Sequence, residues 1–145
     1  MNRRIVIAAG LRWGLVLAWM GVIFALSAQS VMVHHPDNVT DIVLKKIGHL
    51  TEYGVLAVLI WWAMSVRAPL LERRWYLIAW ALAALYAASD EWHQMAVPGR
   101  NGNLYDWLVD VAGAGIALVG LRILLLRRDG QPGARNLHIA TKSRP

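Results

Sequence analysis

Residues 86–110, YAASDEWHQMAVPGRNGNLYDWLVD, place Asp90, Glu91, His93, Gln94, Arg100, Asp106 and Asp110 where two apolar runs, 75–88 and 104–126, are joined. Carboxylates beside an imidazole can pass protons to and from a bound molecule. An arginine offers phosphate or carboxylate a planar, two-pronged donor. A second polar group lies upstream, with Lys46, His49, Glu52 and Tyr53. Lys46, His49 and Tyr53 are spaced i, i+3, i+7 and share one helix face, as do Asp106 and Asp110 at i, i+4. Ionisable groups at the ends of long apolar helices are costly to desolvate. They face a bundle interior or a water-filled cavity, commonly for function.

The chain has 145 residues, 57% of them hydrophobic, and no Cys. That apolar content, clustered in runs, is too high for a soluble core of this size and predicts a membrane protein. The missing Cys excludes disulfides and thiolate metal sites. The expected fold is all-α, a polytopic bundle of four transmembrane helices at about 11–28, 49–66, 75–95 and 104–126. Residues 1–126 then form one membrane domain, and 127–145 a basic tail expected to be disordered. The run 13–28 is longer than the ~7–15 residues of a signal-peptide core, so it reads as a span. Its small residues Gly14, Ala18, Gly21 and Ala25 form a stripe suited to close helix packing in lipid. Pro36 separates it from the next helix. On the third helix Ala79, Ala83, Tyr86, Asp90 and His93 follow one stripe, and Ala84, Ala87, Glu91 and Gln94 its neighbour. On the fourth, Asp106, Asp110, Gly113, Ala117 and Gly120 align, and only a bundle interior suits both the acids and the small residues. Residues 97–103, VPGRNGN, read as a tight turn.

The net charge of +6 is explained by orientation. With the amino terminus in the cytoplasm, Arg3, Arg4, Arg12, Arg67, Arg73, Arg74, Arg122, Arg127, Arg128, Arg135, Lys142 and Arg144 all lie inside. Only Lys45, Lys46 and Arg100 lie outside, so 12 of the 15 basic residues obey the positive-inside rule. Both termini are then cytoplasmic, and nucleic acid is not an expected partner. Trp13, Trp61, Trp62 and Trp75 fall near the inner interface and Trp92 and Trp107 near the outer one. All the chemistry-bearing residues converge at the outer end, where Asp90 is expected within reach of Lys46, His49 or Arg100.

Three segments carry a resemblance. FALSAQ (24–29), KIGHLTEYGVL (46–56) and SDEWHQMAVPGRNGNLYDWLVDVAGAG (89–115) resemble the VanZ-like family. Its pattern has a Lys-x-x-His-x-x-x-Tyr helix start, then Ser-Asp-Glu-x-x-Gln, Pro-Gly-Arg, Asp-x-x-x-Asp/Asn and Gly. The matching positions are Lys46, His49, Glu52, Tyr53, Ser89, Asp90, Glu91, Gln94, Pro98, Gly99, Arg100, Asp106, Asp110 and Gly113. Many relatives carry Asn at the position of Asp110, and an amide cannot act as a base there. The resemblance implies a small protein of the bacterial cytoplasmic (inner) membrane. The family's namesake is linked to reduced susceptibility to the glycopeptide antibiotic teicoplanin, and most members have no assigned activity.

Three readings of the cluster follow. As a scaffold, Lys46 and Arg100 would pair with Asp90, Glu91, Asp106 and Asp110 to lock the helix ends, although buried ion pairs are poor stabilisers. As a binding site for an envelope lipid or lipid-linked glycan, Lys46 and Arg100 would meet phosphate. Glu52, Tyr53, His93, Gln94, Asp106 and Asp110 would line the same site, its carboxylates and Gln94 taking sugar or peptide groups, with Trp92 and Trp107 at the interface. As an enzyme, Asp90, Glu91 and His49 are the candidate acid-base residues. A divalent metal is chemically compatible with two His and several carboxylates, but Glu91-Trp92-His93 matches no metal-binding spacing, so no cofactor is expected. Ser89 has only an ordinary helix around it, and His34 and His35 read as solvated loop residues. The lipid-binding reading is preferred, with the enzyme second.

Overall fold

A computed structural model describes residues 3–29, 39–66, 71–98 and 102–129. They form four helices, α1 (Arg3–Ser27), α2 (Val39–Met64), α3 (Arg73–Met95) and α4 (Leu104–Asp129). There is no strand among the described residues. The helices run up, down, up and down. α1 and α3 end where α2 and α4 begin, and that shared end carries the polar residues.

α1, the part of α2 from Val43 to Met64, and α4 are each long and apolar enough to cross a membrane. α3 falls short on composition alone, because Arg73, Arg74, Asp90 and Glu91 sit at its two ends. Its 23 residues rise roughly 34 Å, enough for a hydrocarbon core of about 30 Å. The outer faces are apolar: Leu17, Leu85 and Val119 are 65%, 68% and 60% exposed.

Two helices begin earlier than the sequence predicts. α1 starts at Arg3 because nothing before residue 11 breaks a helix, a lone Gly10 being tolerated at a cost of ~1 kcal/mol. α2 starts at Val39, just past Pro36, which places Lys46 and His49 well inside the helix. α4 runs through Arg127 and Arg128 to Asp129, so the expected tail begins later than residue 127; residues 130–145 lie outside the described part.

The centre is built by α2 and α4, which lie side by side in parallel. A Cβ on Gly113 would collide with the Leu50 backbone, and one on Gly54 would sit 3.2 Å from the Ala117 Cβ and 3.4 Å from the Gly113 carbonyl oxygen. Small residues thus bring the two backbones together. Tyr53, Leu56, Ala57, Ala83, Ala87 and Ala114, all fully buried, fill the space that α3 closes. α1 packs at the edge through Val16, Ile23 and Ser27. The expected Gly14, Ala18, Gly21 and Ala25 stripe does not mediate this contact. All four residues are exposed, and a Cβ on Gly14 or Gly21 would meet nothing within 4 Å. α1 is held instead by bulkier residues and by indole and phenol hydrogen bonds. Trp19 Nε1 donates to the Glu52 carbonyl at 3.0 Å, and the Tyr86 hydroxyl to the Met20 carbonyl at 2.7 Å.

At the opposite end Arg12 donates to the Trp62 carbonyl at 2.8 Å and lies 4.4 Å from the Trp62 ring centroid. It satisfies a carbonyl that the end of α2 leaves open. Trp61, expected at an interface, is 5% exposed and packs on Tyr76 with ring centroids 5.4 Å apart.

Candidate functional site

The polar residues stack in layers down the α2–α4 seam. The periodicities that put Lys46, His49 and Tyr53 on one face of α2, and Asp106 and Asp110 on one face of α4, meet because Gly113 lets the backbones touch. At the rim Lys46 Nζ lies 2.6 Å from Asp106 Oδ1, with side chains 36% and 27% exposed. The ammonium also stands 4.6 Å from the Tyr105 ring centroid. One turn deeper His49 Nδ1 lies 3.2 Å from Asp110 Oδ1, and Asp110 is fully buried.

The deepest layer joins three helices. Asp90 Oδ2 accepts hydrogen bonds from Ser27 Oγ of α1 at 2.7 Å and from Gln94 Nε2 at 3.0 Å. Gln94 Nε2 also reaches Ser27 Oγ at 3.3 Å. The Tyr53 hydroxyl faces the same carboxylate without closing a hydrogen bond to it. The bonds to Asp90 therefore come from neutral donors. Of the expected charged neighbours, Lys46 goes to Asp106 and His49 to Asp110. Arg100 lies outside the described residues.

Glu91 occupies the adjoining α3–α4 corner. Its Oε2 accepts a 2.7 Å bond from the Asn103 backbone N–H. The Asn103 side chain in turn caps α4 by accepting from the Tyr105 N–H at 3.0 Å. The turn needs a glycine next to this clamp: a Cβ on Gly102 would sit 2.5 Å from the Glu91 carbonyl oxygen and 2.6 Å from Met95 Cγ. A groove of about 460 Å³ opens beside Glu91 between α3 and α4, walled by Trp92, Met95, Leu104 and Trp107. Trp107 Nε1 donates to the Ala84 carbonyl at 3.0 Å, and Trp92 is 75% exposed.

His93 is stacked on Phe24 of α1, with ring centroids 4.3 Å apart. Glu52 is half-buried on α2. Among the described residues no three His, Asp or Glu side chains converge as metal ligands would.

Within the described residues, Asp90 Oδ1, Glu91 Oε1 and Asp110 Oδ2 are buried acceptors that receive no hydrogen bond. Such atoms are expensive to bury, at about 1–3 kcal/mol each and more when charged.

Three residues outside the predicted site belong to this geometry. Ser27 sits in FALSAQ, where a lone Ser among apolar residues at a helix end was the available signal. Asn103 and Gly102 sat in a segment read only as a turn. Asn three residues before an acid, at the start of an apolar run, is a helix-cap signature.

An all-helical bundle with apolar outer faces and a buried polar cluster at one end defines a helical membrane protein. The chain belongs to the VanZ/LLP1 family, whose model matches residues 12–125. No curated protein and no solved structure matches it.

Proposed function

We propose that this protein binds a polar lipid of the cell envelope, or a lipid-linked glycan, at the shared end of its helices. That end faces outward from a bacterial inner membrane, with both termini in the cytoplasm. The orientation rests on the basic residues: Arg3, Arg4, Arg12, Arg73, Arg74, Arg122, Arg127 and Arg128 all belong to the opposite end.

The observation that carries the reading is the pair of buried acceptors Asp90 Oδ1 and Glu91 Oε1 on one turn of α3, with Glu91 lining a groove between α3 and α4. A headgroup rich in hydroxyls or amines supplies donors to these oxygens. Its acyl chain fits the apolar walls of the groove between Trp92 and Trp107. Lys46 is held by Asp106, so the described part of the site is acidic and favours sugar or amine donors over a bare phosphate. Sequestering such a lipid is also the route by which the protein would alter susceptibility to teicoplanin.

A second reading rests on the 3.2 Å pair of His49 and Asp110. An imidazole held by a buried carboxylate can act as a general base, which makes hydrolysis or group transfer on the same lipid the alternative. Mass spectrometry of the purified protein tests the proposal. A co-purified envelope lipid, depleted in Asp90→Asn, supports the site, and an identical lipid profile in both removes it. Turnover of that lipid, lost in the same variant, would select the enzyme.

A further inference from the structure

A second groove, of about 320 Å³, lies between α3 and α4 at the opposite, basic end. Its floor is Tyr76 and Leu118, 7% and 3% exposed. Its far wall is Trp80, whose Nε1 donates to the Val111 carbonyl at 3.1 Å and which stands over Gly115. Its other end is bounded by Arg73 of α3 and Arg122 of α4. From Gly115 to Arg122 the helix rises roughly 10 Å, so the groove is a slot along the bundle rather than a surface dimple.

The two arginines are not spent on the protein's own acids. Glu72 is engaged by Arg74 at 2.7 Å and by Trp75 Nε1 at 3.0 Å. Neither Arg73 nor Arg122 forms an ion pair among the described residues. Arg122 rests 5.9 Å from the Tyr76 ring centroid, which leaves its guanidinium edge available. An apolar slot ending in two guanidinium groups at the depth of a helix end has the chemistry of a phospholipid: acyl chain below, phosphate above. A second copy of this chain docked face to face here would bring arginines against arginines, which disfavours a dimer.

We propose that this groove is a binding site for one anionic glycerophospholipid, with its phosphate between Arg73 and Arg122 and an acyl chain along Tyr76, Leu118 and Trp80. It is separate from the carboxylate cluster and lies at the other end of the bundle. It uses only residues that the cluster does not.

The full-length protein is placed in nanodiscs of equimolar phosphatidylglycerol and phosphatidylcholine and released for native mass spectrometry. The wild type retains one phosphatidylglycerol in preference to phosphatidylcholine. The double variant Arg73→Gln, Arg122→Gln loses that preference by roughly tenfold or more, as expected when charge-assisted hydrogen bonds to phosphate are removed. Val119→Trp, which fills the lipid-facing side of the slot and keeps both arginines, loses retained lipid of either kind. Arg127→Gln with Arg128→Gln, beyond the groove, leaves the preference intact. The proposal is overturned if the two lipids are retained equally by the wild type. It also falls if the Arg127/Arg128 variant matches the Arg73/Arg122 variant, if Val119→Trp retains lipid as the wild type does, or if a protein dimer replaces the bound lipid.

Discussion

Ser27, the last residue of α1, donates a 2.7 Å hydrogen bond to Asp90 near the end of α3. α1 otherwise holds its neighbours mainly by apolar packing and hydrogen bonds to backbone carbonyls. This bond links α1 directly to a buried carboxylate, and Gln94 completes the triangle. Ser27→Ala should cost about 1–3 kcal/mol, the range for depriving a buried polar group of its hydrogen-bond partner. Thermal melting in detergent, followed by size exclusion, reads it. An unchanged melting temperature would mean that water replaces the hydroxyl without loss.

The α2–α4 seam gives a sharper contrast between two glycines of one helix. A methyl at Gly113 meets the Leu50 backbone, which cannot swing aside as a side chain can. Gly113→Ala should therefore push α2 from α4 and cost at least the ~1–3 kcal/mol of ordinary overpacking. It should also separate Lys46 from Asp106 and His49 from Asp110. Gly120→Ala, with nothing within 4 Å, should be neutral or stabilising by ~0.5–1 kcal/mol, since alanine is the better helix former. Equal melting temperatures for the two would contradict the close approach.

The four helices were legible because apolar runs of membrane length leave few alternatives in lipid. The polar convergence was legible because i, i+3, i+4 and i+7 spacings fix faces regardless of what they meet. Pairing was not legible. Spacing put Lys46, His49 and Asp90 at one end, but which acid each basic group meets depends on the α2–α4 register, set by Gly113 against Leu50. The outward face of the Gly14 stripe was hidden for a related reason. Small residues permit close packing without requiring it, and the side of α1 that turns inward was decided by Ile23, Trp19 and Ser27.

Orientation has its own test, and the lack of native Cys makes it clean. Asn101→Cys, between α3 and α4 in the sequence, should react with a membrane-impermeant thiol reagent in intact cells, and Ser143→Cys should react only after lysis. The reverse pattern would move the carboxylate cluster to the cytoplasmic side and remove outer-leaflet lipids as ligands.

The last prediction separates the two buried acids. Asp110 is fully buried and faces His49 at 3.2 Å, and Asp90 is 3% exposed and already takes two neutral donors. An amide in place of Asp110 keeps the side-chain volume and an oxygen toward His49. Neutral imidazole can donate to that oxygen, and a carboxylate no longer has to be desolvated. Asp110→Asn should fold with equal or higher thermal stability and keep bound lipid. Asp90→Asn is different. Its new NH₂ must take either the place of Oδ2, where Gln94 Nε2 is itself a donor, or the place of Oδ1, which accepts no hydrogen bond among the described residues. Either placement loses an acceptor, so Asp90→Asn should release the lipid while remaining inserted. Lipid content and melting temperature measured on both variants decide the matter. Loss of lipid in Asp110→Asn with unchanged folding would place Asp110 among the groups that hold the lipid, and lipid turnover lost while the lipid is retained would turn the reading toward the enzyme.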